Sequence, residues 1–362
     1  MLPAESLSPI LIKYLIIEQG GQLLRNSTSL SCIMNKPVTV ENIRAKRDKP
    51  GLRAQHLCGL TLLKEISNGQ LIGGWISSTK VSFIPRTIEG GEHVVNTQTA
   101  GSVCLLIQSA LPCLLLANKS SRLVLKGGTN ASMAPPFEYF VDVLRPMLRK
   151  MGINFECQLV RRGFYPRGGG EVVLTCNPIK KIQPIILQEK GSIFDISGLA
   201  YVAGSLPDKI AVEMKALAEF DLKLKYPHIK VKVEFLHDKQ CNGNGSGIIL
   251  VARTMDNITF GASALGEKDK PAELVAKEAV NELLEVLQSK SCVDKYMQDQ
   301  LIIFMALADG RSVMRTSEPT LHTRTAMDVI ERMTNAKFTV DQISEKEWII
   351  TCDGISYTNN SI

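Results

Sequence analysis

A chain of 362 residues that is 44% hydrophobic and 22% charged can bury a sizeable core, which excludes a disordered or fibrous polypeptide. Its formal charge of +6 suits an anionic partner without requiring one, since many basic enzymes never touch nucleic acid. The nine cysteines form no Cys-x-x-Cys pair and do not cluster with the five histidines, which argues against a structural zinc site and for a reduced, intracellular protein.

The first apolar run, Ile10 to Ile17, is broken by Lys13 and is too short to span a membrane. It reads as a strand entering the core. Helical spacing then covers Gln22 to Asn35, and the alternating run Val38 to Ile43 predicts a strand. A second helix follows over Leu52 to Ser67, with strands at Gln70 to Ile76 and Lys80 to Ile84. The same order returns in a second segment. There the helix Ser102 to Ala117 leads to a strand at Arg122 to Leu125, and Pro135-Pro136 opens a helix reaching about Met151. Strands at Asn154 to Val160 and Glu171 to Cys176 close that segment. It returns again with helices at Val293 to Ala308 and Thr323 to Asn335, and strands at Arg311 to Arg315, Lys337 to Ile343 and Trp348 to Cys352. Helix, strand, helix, strand, strand thus occurs three times, the signature of an internal repeat. Between the second and third segments, residues 187–287 carry four strand patterns and two helix patterns of their own, enough for a small α+β domain inserted into the larger one. The expected organisation is a catalytic domain of residues 1–186 and 288–362, interrupted by that insert.

Several clusters bear chemistry. Glycine pairs and triplets, among them Gly127-Gly128 and Gly168-Gly169-Gly170, suit either tight turns or close approach to phosphate. Neither a P-loop nor a dinucleotide-binding fingerprint is present. Arg44, Lys46, Arg47, Lys49 and Arg53 form a basic block that is either a solvated loop or a phosphate-binding one. His322 stands at the start of a predicted helix, where it is either a structural residue or a nucleophile. The amides of such a helix start also favour an approaching phosphate. Tyr296, Asp299 and Gln300 share one helix face, which either lines a polar ligand or faces water.

Taken together, six blocks in order resemble the RNA 3'-terminal phosphate cyclase family over Glu18 to Asp353. They are Ile43 to Arg47 continuing through Pro50 to Leu57; Thr99 to Ser102 with Gln108; Lys126 to Asn130 with Ala134-Pro135-Pro136; Arg162 to Pro166 with Gly168 to Gly170; Tyr296 to Leu301; and Leu321-His322-Thr323. The resemblance implies an α+β fold of three repeated units, each of two helices on a four-stranded sheet, with a small inserted α+β domain. It implies an ATP-dependent enzyme of the ligase class that turns an RNA 3'-phosphate into a 2',3'-cyclic phosphate through a histidine–AMP and an RNA–adenylate anhydride. By the same resemblance His322 is the nucleophile, and Gln108, Pro135, Tyr296, Asp299 and Gln300 bind ATP or the adenylate. Arg25, Arg44, Arg47, Gln55 and His56 line the reacting phosphate, and Glu18 is a contact for Mg2+ or Mn2+. One departure is the sequence Glu18-Gln19-Gly20-Gly21-Gln22, where the family carries a longer glycine run. The implied partner is RNA with a 3'-terminal phosphate, with no membrane association and no obligate protein partner, and the implied location is the nucleus, with the cytoplasm as a second site. The alternative is a cyclase-like, non-catalytic RNA-binding protein of ribosome assembly, which would differ at the nucleophile.

Overall fold

In the computed structural model, which describes residues 9–13 and 20–362, the short apolar runs pair into four sheets of four strands each. The first unit runs β1 (Ile10–Lys13), α1 (Gly20–Met34), β2 (Val38–Glu41), α2 (Ala54–Ile66), β3 (Gln70–Ile72) and β4 (Val81–Ile84). Its sheet has the order β1-β2-β4-β3, with β1 parallel to β2 and β4 antiparallel to both its neighbours. The second unit repeats this with β5 (Glu92–Asn96), α3 (Val103–Leu114), β6 (Ser121–Gly127), a composite helix, β7 (Phe155–Arg161) and β8 (Gly170–Cys176), in the order β5-β6-β8-β7. The composite helix begins as α4 (Phe137–Tyr139), widens into a π turn at Phe140–Leu144 and ends as α5 (Arg145–Arg149).

The third unit is split. Its edge strand β9 (Ile186–Leu187) precedes the insert, and α8 (Lys295–Leu307), β14 (Arg311–Thr316), α9 (Leu321–Met333), β15 (Lys337–Ser344) and β16 (Glu347–Asp353) follow it. The order β9-β14-β16-β15 is again the same, with β9 parallel to β14. The fold is therefore α+β, with three repeated units of two helices on a four-stranded sheet. The second and third units each open one strand earlier than the sequence pattern indicates, whereas the predicted strand from Ile10 to Ile17 is seen over Ile10–Lys13, its remainder lying outside the described residues.

The insert comprises β10 (Ile193–Ala203), α6 (Lys209–Lys225), β11 (Lys230–Asp238), β12 (Gly245–Thr254), β13 (Thr259–Leu265) and α7 (Ala272–Gln288). Its order, β11-β10-β12-β13, places the opening strand inside the sheet rather than at its edge, so it is not a fourth copy of the repeat. Among the described residues no helix is long and apolar enough to cross a membrane.

Buried polar side chains join the pieces. Asp294, the N-cap of α8, accepts hydrogen bonds from the Tyr139 hydroxyl (2.6 Å), from the amides of Tyr296 (3.0 Å) and Met297 (2.9 Å), and from the Gly261 amide of β13 (2.9 Å). One carboxylate thus ties units two and three to the insert. Burial raises its pKa, while the donors around it hold it down. A second join is made by Arg162, which is ion-paired with Glu138 of α4, lies 3.3 Å from an Asp238 carboxylate oxygen on β11, and stacks 4.9 Å from the Tyr201 ring centroid on β10. The last residues close the far end of the core. There the Tyr357 hydroxyl donates to the Ile33 carbonyl at the end of α1, and Asn359 Nδ2 donates to the Ala117 carbonyl just beyond α3.

Candidate active site

The N-terminal ends of α1, α2 and α9 meet the middle of α3 and α8. The start of α9 is fixed from below by Gln298, whose side chain is fully buried. Its Oε1 accepts from the Thr320 amide (3.1 Å) and the Thr323 hydroxyl (3.0 Å), and its Nε2 donates to Ser317 Oγ (3.0 Å). Thr320 caps α9 by accepting from the Thr323 amide (3.1 Å). His322 follows two residues on, with an exposed side chain at the mouth of the site.

From α1, Gln22 bridges two of the predicted residues. Its Oε1 is 2.6 Å from His322 Nδ1, and its Nε2 donates to Asp299 Oδ2 at 2.5 Å. On the next position of α8, Gln300 donates to the Tyr296 carbonyl (2.8 Å) and accepts from Gln108 Nε2 on α3 (2.9 Å). Gln22, Gln108, Asp299 and Gln300 edge a cleft whose opposite wall is apolar: Leu111 and Pro112 of α3, Phe140 and Leu144 of the π turn, Ile303 and Phe304 of α8. Phe140 and Leu144, four apart, share the helix face that lines that wall. Desolvation pushes the Asp299 carboxyl up to about 7, against the pull of the nearby Arg25 guanidinium.

Arg25 also lines a second, narrower cavity with Gly21, Gln55 and His56. A β-carbon on Gly21 would come within 2.7 Å of His56 Nε2, so glycine is what lets α1 approach the imidazole. The His56 Nδ1 accepts from the Arg53 amide at 3.2 Å, which leaves Nε2 as the protonated nitrogen. Burial, then the charges of Arg25, Arg44 and Arg53, lowers its pKa to about 4. At neutral pH this is an uncharged donor ringed by arginines, a setting that suits an anion with several oxygens. Gln55 donates to the Ser102 carbonyl (3.1 Å) while its buried Oε1 has no hydrogen-bond partner.

The remaining predicted residues are placed differently. Arg44, in the left-handed region at φ +50°, donates to the carbonyls of Lys49 (2.8 Å) and Gly51 (3.2 Å), so its guanidinium supports its own loop beside His56. Gly51 permits that loop, since a β-carbon there would meet the Ser77 carbonyl oxygen at 2.1 Å. Arg47 is exposed on the outer part of the same loop, so the basic block does not converge as a unit. Pro135 stands just before α4, and Tyr296 packs edge-on against Tyr139 of α4 at 5.8 Å. Glu18 lies outside the described residues, and among the described residues no group of three or more His, Cys, Asp or Glu side chains could hold a metal ion. Sequence reasoning missed Gln22 and Gln298. Both are ordinary glutamines in helical runs, and only the packing of α1 and α8 against α9 brings Gln22 to His322 and Gln298 to Thr320 and Thr323.

The His56 environment makes a direct prediction. Followed by NMR, His56 should titrate near 4 in the free protein, and phosphate should raise that midpoint by stabilising the imidazolium. Because the folded pKa lies below the unfolded one, this residue costs stability as pH falls from about 6.5 towards 4. A midpoint near 6.5 without phosphate would show that the arginines do not crowd the ring.

A threefold-repeated α+β body with a histidine, a desolvated carboxyl and a cationic cavity at one confluence of helix ends defines an enzyme. The sequence model of the family described as RNA 3'-terminal phosphate cyclase matches residues 16–340. The RNA 3'-terminal phosphate cyclase of Drosophila melanogaster is 44% identical over 348 residues, covering 96% of each chain. A probable RNA 3'-terminal phosphate cyclase of Dictyostelium discoideum is 40% identical, covering 94% of this chain and 82% of its own. The RNA 3'-terminal phosphate cyclase of Pyrococcus furiosus is 40% identical, covering 89% of this chain and 92% of its own. This chain belongs to the RNA 3'-terminal phosphate cyclase family.

Proposed function

We propose that this protein uses ATP to convert an RNA 3'-terminal phosphate into a 2',3'-cyclic phosphate, with AMP carried covalently on His322. The observation that carries this reading is the convergence of Gln22, Gln108, Asp299 and Gln300 on one cleft, from helices of all three repeated units, with His322 beside it on Gln22. Membership of the cyclase family supplies the substrate class. In this reading the cleft takes the adenosine, its apolar wall against the base and its glutamines and Asp299 on the polar edge, with Tyr296 and Pro135 completing the nucleotide site. His322 attacks the α-phosphorus and pyrophosphate leaves. Arg25, Gln55 and His56 bind the RNA 3'-phosphate next door, with Arg44 and Arg47 supplying longer-range positive charge. Bound Mg2+ or Mn2+ would supply neutralising charge to the triphosphate.

The RNA phosphate then displaces His322 from the AMP phosphorus. Finally the adjacent 2'-hydroxyl attacks the activated RNA phosphorus and expels AMP. That ring closure is intramolecular, so positioning alone supplies much of its acceleration. DNA, which has no 2'-hydroxyl, should stop at the anhydride.

A pulse-chase experiment tests the scheme. Protein labelled with α-phosphate-labelled ATP and freed of nucleotide should release its label as AMP when given RNA ending in a 3'-phosphate. RNA ending in a 3'-hydroxyl should leave the label in place. A folded protein that takes no label but binds RNA would instead support the ribosome-assembly alternative.

Asp299 carries a further prediction. Asp299→Asn should slow label formation about 10- to 100-fold, because the Gln22 amide loses its anionic acceptor. The same variant should be more stable by roughly 2 kcal/mol above pH 7, after discounting for partial exposure. The sign follows from linkage. With a folded pKa near 7 against an unfolded one near 4, the ionised carboxyl penalises the folded state increasingly across that window and fully above it. Thermal melts of both proteins at pH 5 and 8 check this, since the gap must widen at the higher pH.

A further inference from the structure

We infer that Gln22 is a positioning residue that holds His322 in the Nδ1-protonated tautomer, leaving Nε2 as the attacking nitrogen. The inference rests on the reading of His322 as the adenylylated residue. The Gln22 side chain turns its NH2 towards Asp299 Oδ2, which can accept that hydrogen bond whether or not the other carboxyl oxygen carries a proton. Its carbonyl oxygen, Oε1, is then the atom 2.6 Å from His322 Nδ1, and an amide oxygen at that distance requires Nδ1 to carry the proton. Gln22 is itself held fast: it is 3% exposed and sits in the first turn of α1, one residue after the Gly21 that packs on His56.

The chemistry explains why an amide suits this place. When the Nε2 lone pair forms the bond to the α-phosphorus, the P–O bond to the β-phosphate breaks and pyrophosphate leaves with that electron pair. No proton has to leave the ring. The adduct is a phosphorylated imidazolium that keeps its Nδ1 proton, donated to Gln22 Oε1. When the RNA phosphate attacks the AMP phosphorus, the P–N electron pair returns to Nε2 and neutral histidine is restored. A carboxylate at Nδ1 would pair with the imidazolium and damp the positive charge that makes the adduct electrophilic. The amide relays only part of the Asp299 charge, so it orients the ring while leaving the proton in place.

The test uses the full chain and the variants Gln22→Met, which fills the same space without hydrogen bonding, and Gln22→Ala. Label formation from ATP is measured in single turnover at several ATP concentrations. Both variants should react about 10- to 100-fold more slowly with half-saturating ATP little changed. In protein carrying 15N-labelled histidine, the His322 signals, assigned by their loss in His322→Ala, should report an Nδ1–H ring. In Gln22→Met the Nε2–H form should gain population. A wild-type rate in both variants, or an Nε2–H ring in the unmodified protein, would overturn the inference. A His322→Ala protein that still takes label would instead remove the nucleophile assignment on which it rests, whereas the ring tautomer is read without ATP and so separates the two failures.

Discussion

His322→Ala is expected to leave no acid-labile, alkali-stable AMP on the protein and to lower cyclase turnover by roughly 10⁴-fold or more. The size follows from the proposed role, in which the imidazole forms the first bond to phosphorus and the neighbouring groups that remain can bind but not attack. The loss should not reflect misfolding. The His322 side chain is exposed, and the start of α9 is built by Thr320 and Gln298 rather than by the histidine. Stability should therefore change by no more than about 0.5 kcal/mol. His322→Asn sharpens the test, because its amide NH2 can donate to Gln22 in place of Nδ1 while offering no nucleophile. Measured by label retention and by conversion of a 3'-phosphorylated RNA, both variants should be inactive and normally folded. Residual label in either would move the nucleophile elsewhere.

The repeat was legible because each unit pairs two apolar-striped helices with alternating strands, and α1, α3 and α8 fall where the spacing puts them. What escaped were the opening strands. Pairing with β14 makes a strand of Ile186 and Leu187, but two residues carry no period of their own. Glu92–Asn96 reads as loop because its side chains are largely exposed, and only β6 alongside shows it to be an edge strand.

The site divides in the same way. Residues close in sequence were easy to group: Tyr296, Asp299 and Gln300 lie on one helix, and Gln55 and His56 in one turn. The bridge from Gln22 to His322 joins side chains 300 positions apart, and no local pattern announces it. The basic block misled in the opposite sense. Closeness in sequence suggested one phosphate clamp, whereas the loop from Ile43 to Gly51 turns Arg44 onto its own carbonyls and leaves Arg47 outside.

The Arg162 block also reads differently once folded. In the sequence it is one stretch of the family resemblance; in the fold the Arg162 side chain is 4% exposed and its partners Glu138 and Asp238 come from unit two and the insert. Arg162→Ala is therefore expected to destabilise the protein by about 3–5 kcal/mol, because it leaves the Glu138 carboxylate buried without its counter-charge. Glu138 keeps one donor, Asn130 Nδ2 at 3.0 Å, which is too little to solvate an ion there. Arg162→Met with Glu138→Gln removes both charges while filling the space, and it should recover most of the stability. Urea unfolding of the single and double variants decides the matter. A single variant as stable as the parent would mean that the ion pair is replaceable by water. A double variant no better than the single would place the loss in packing against Tyr201 instead.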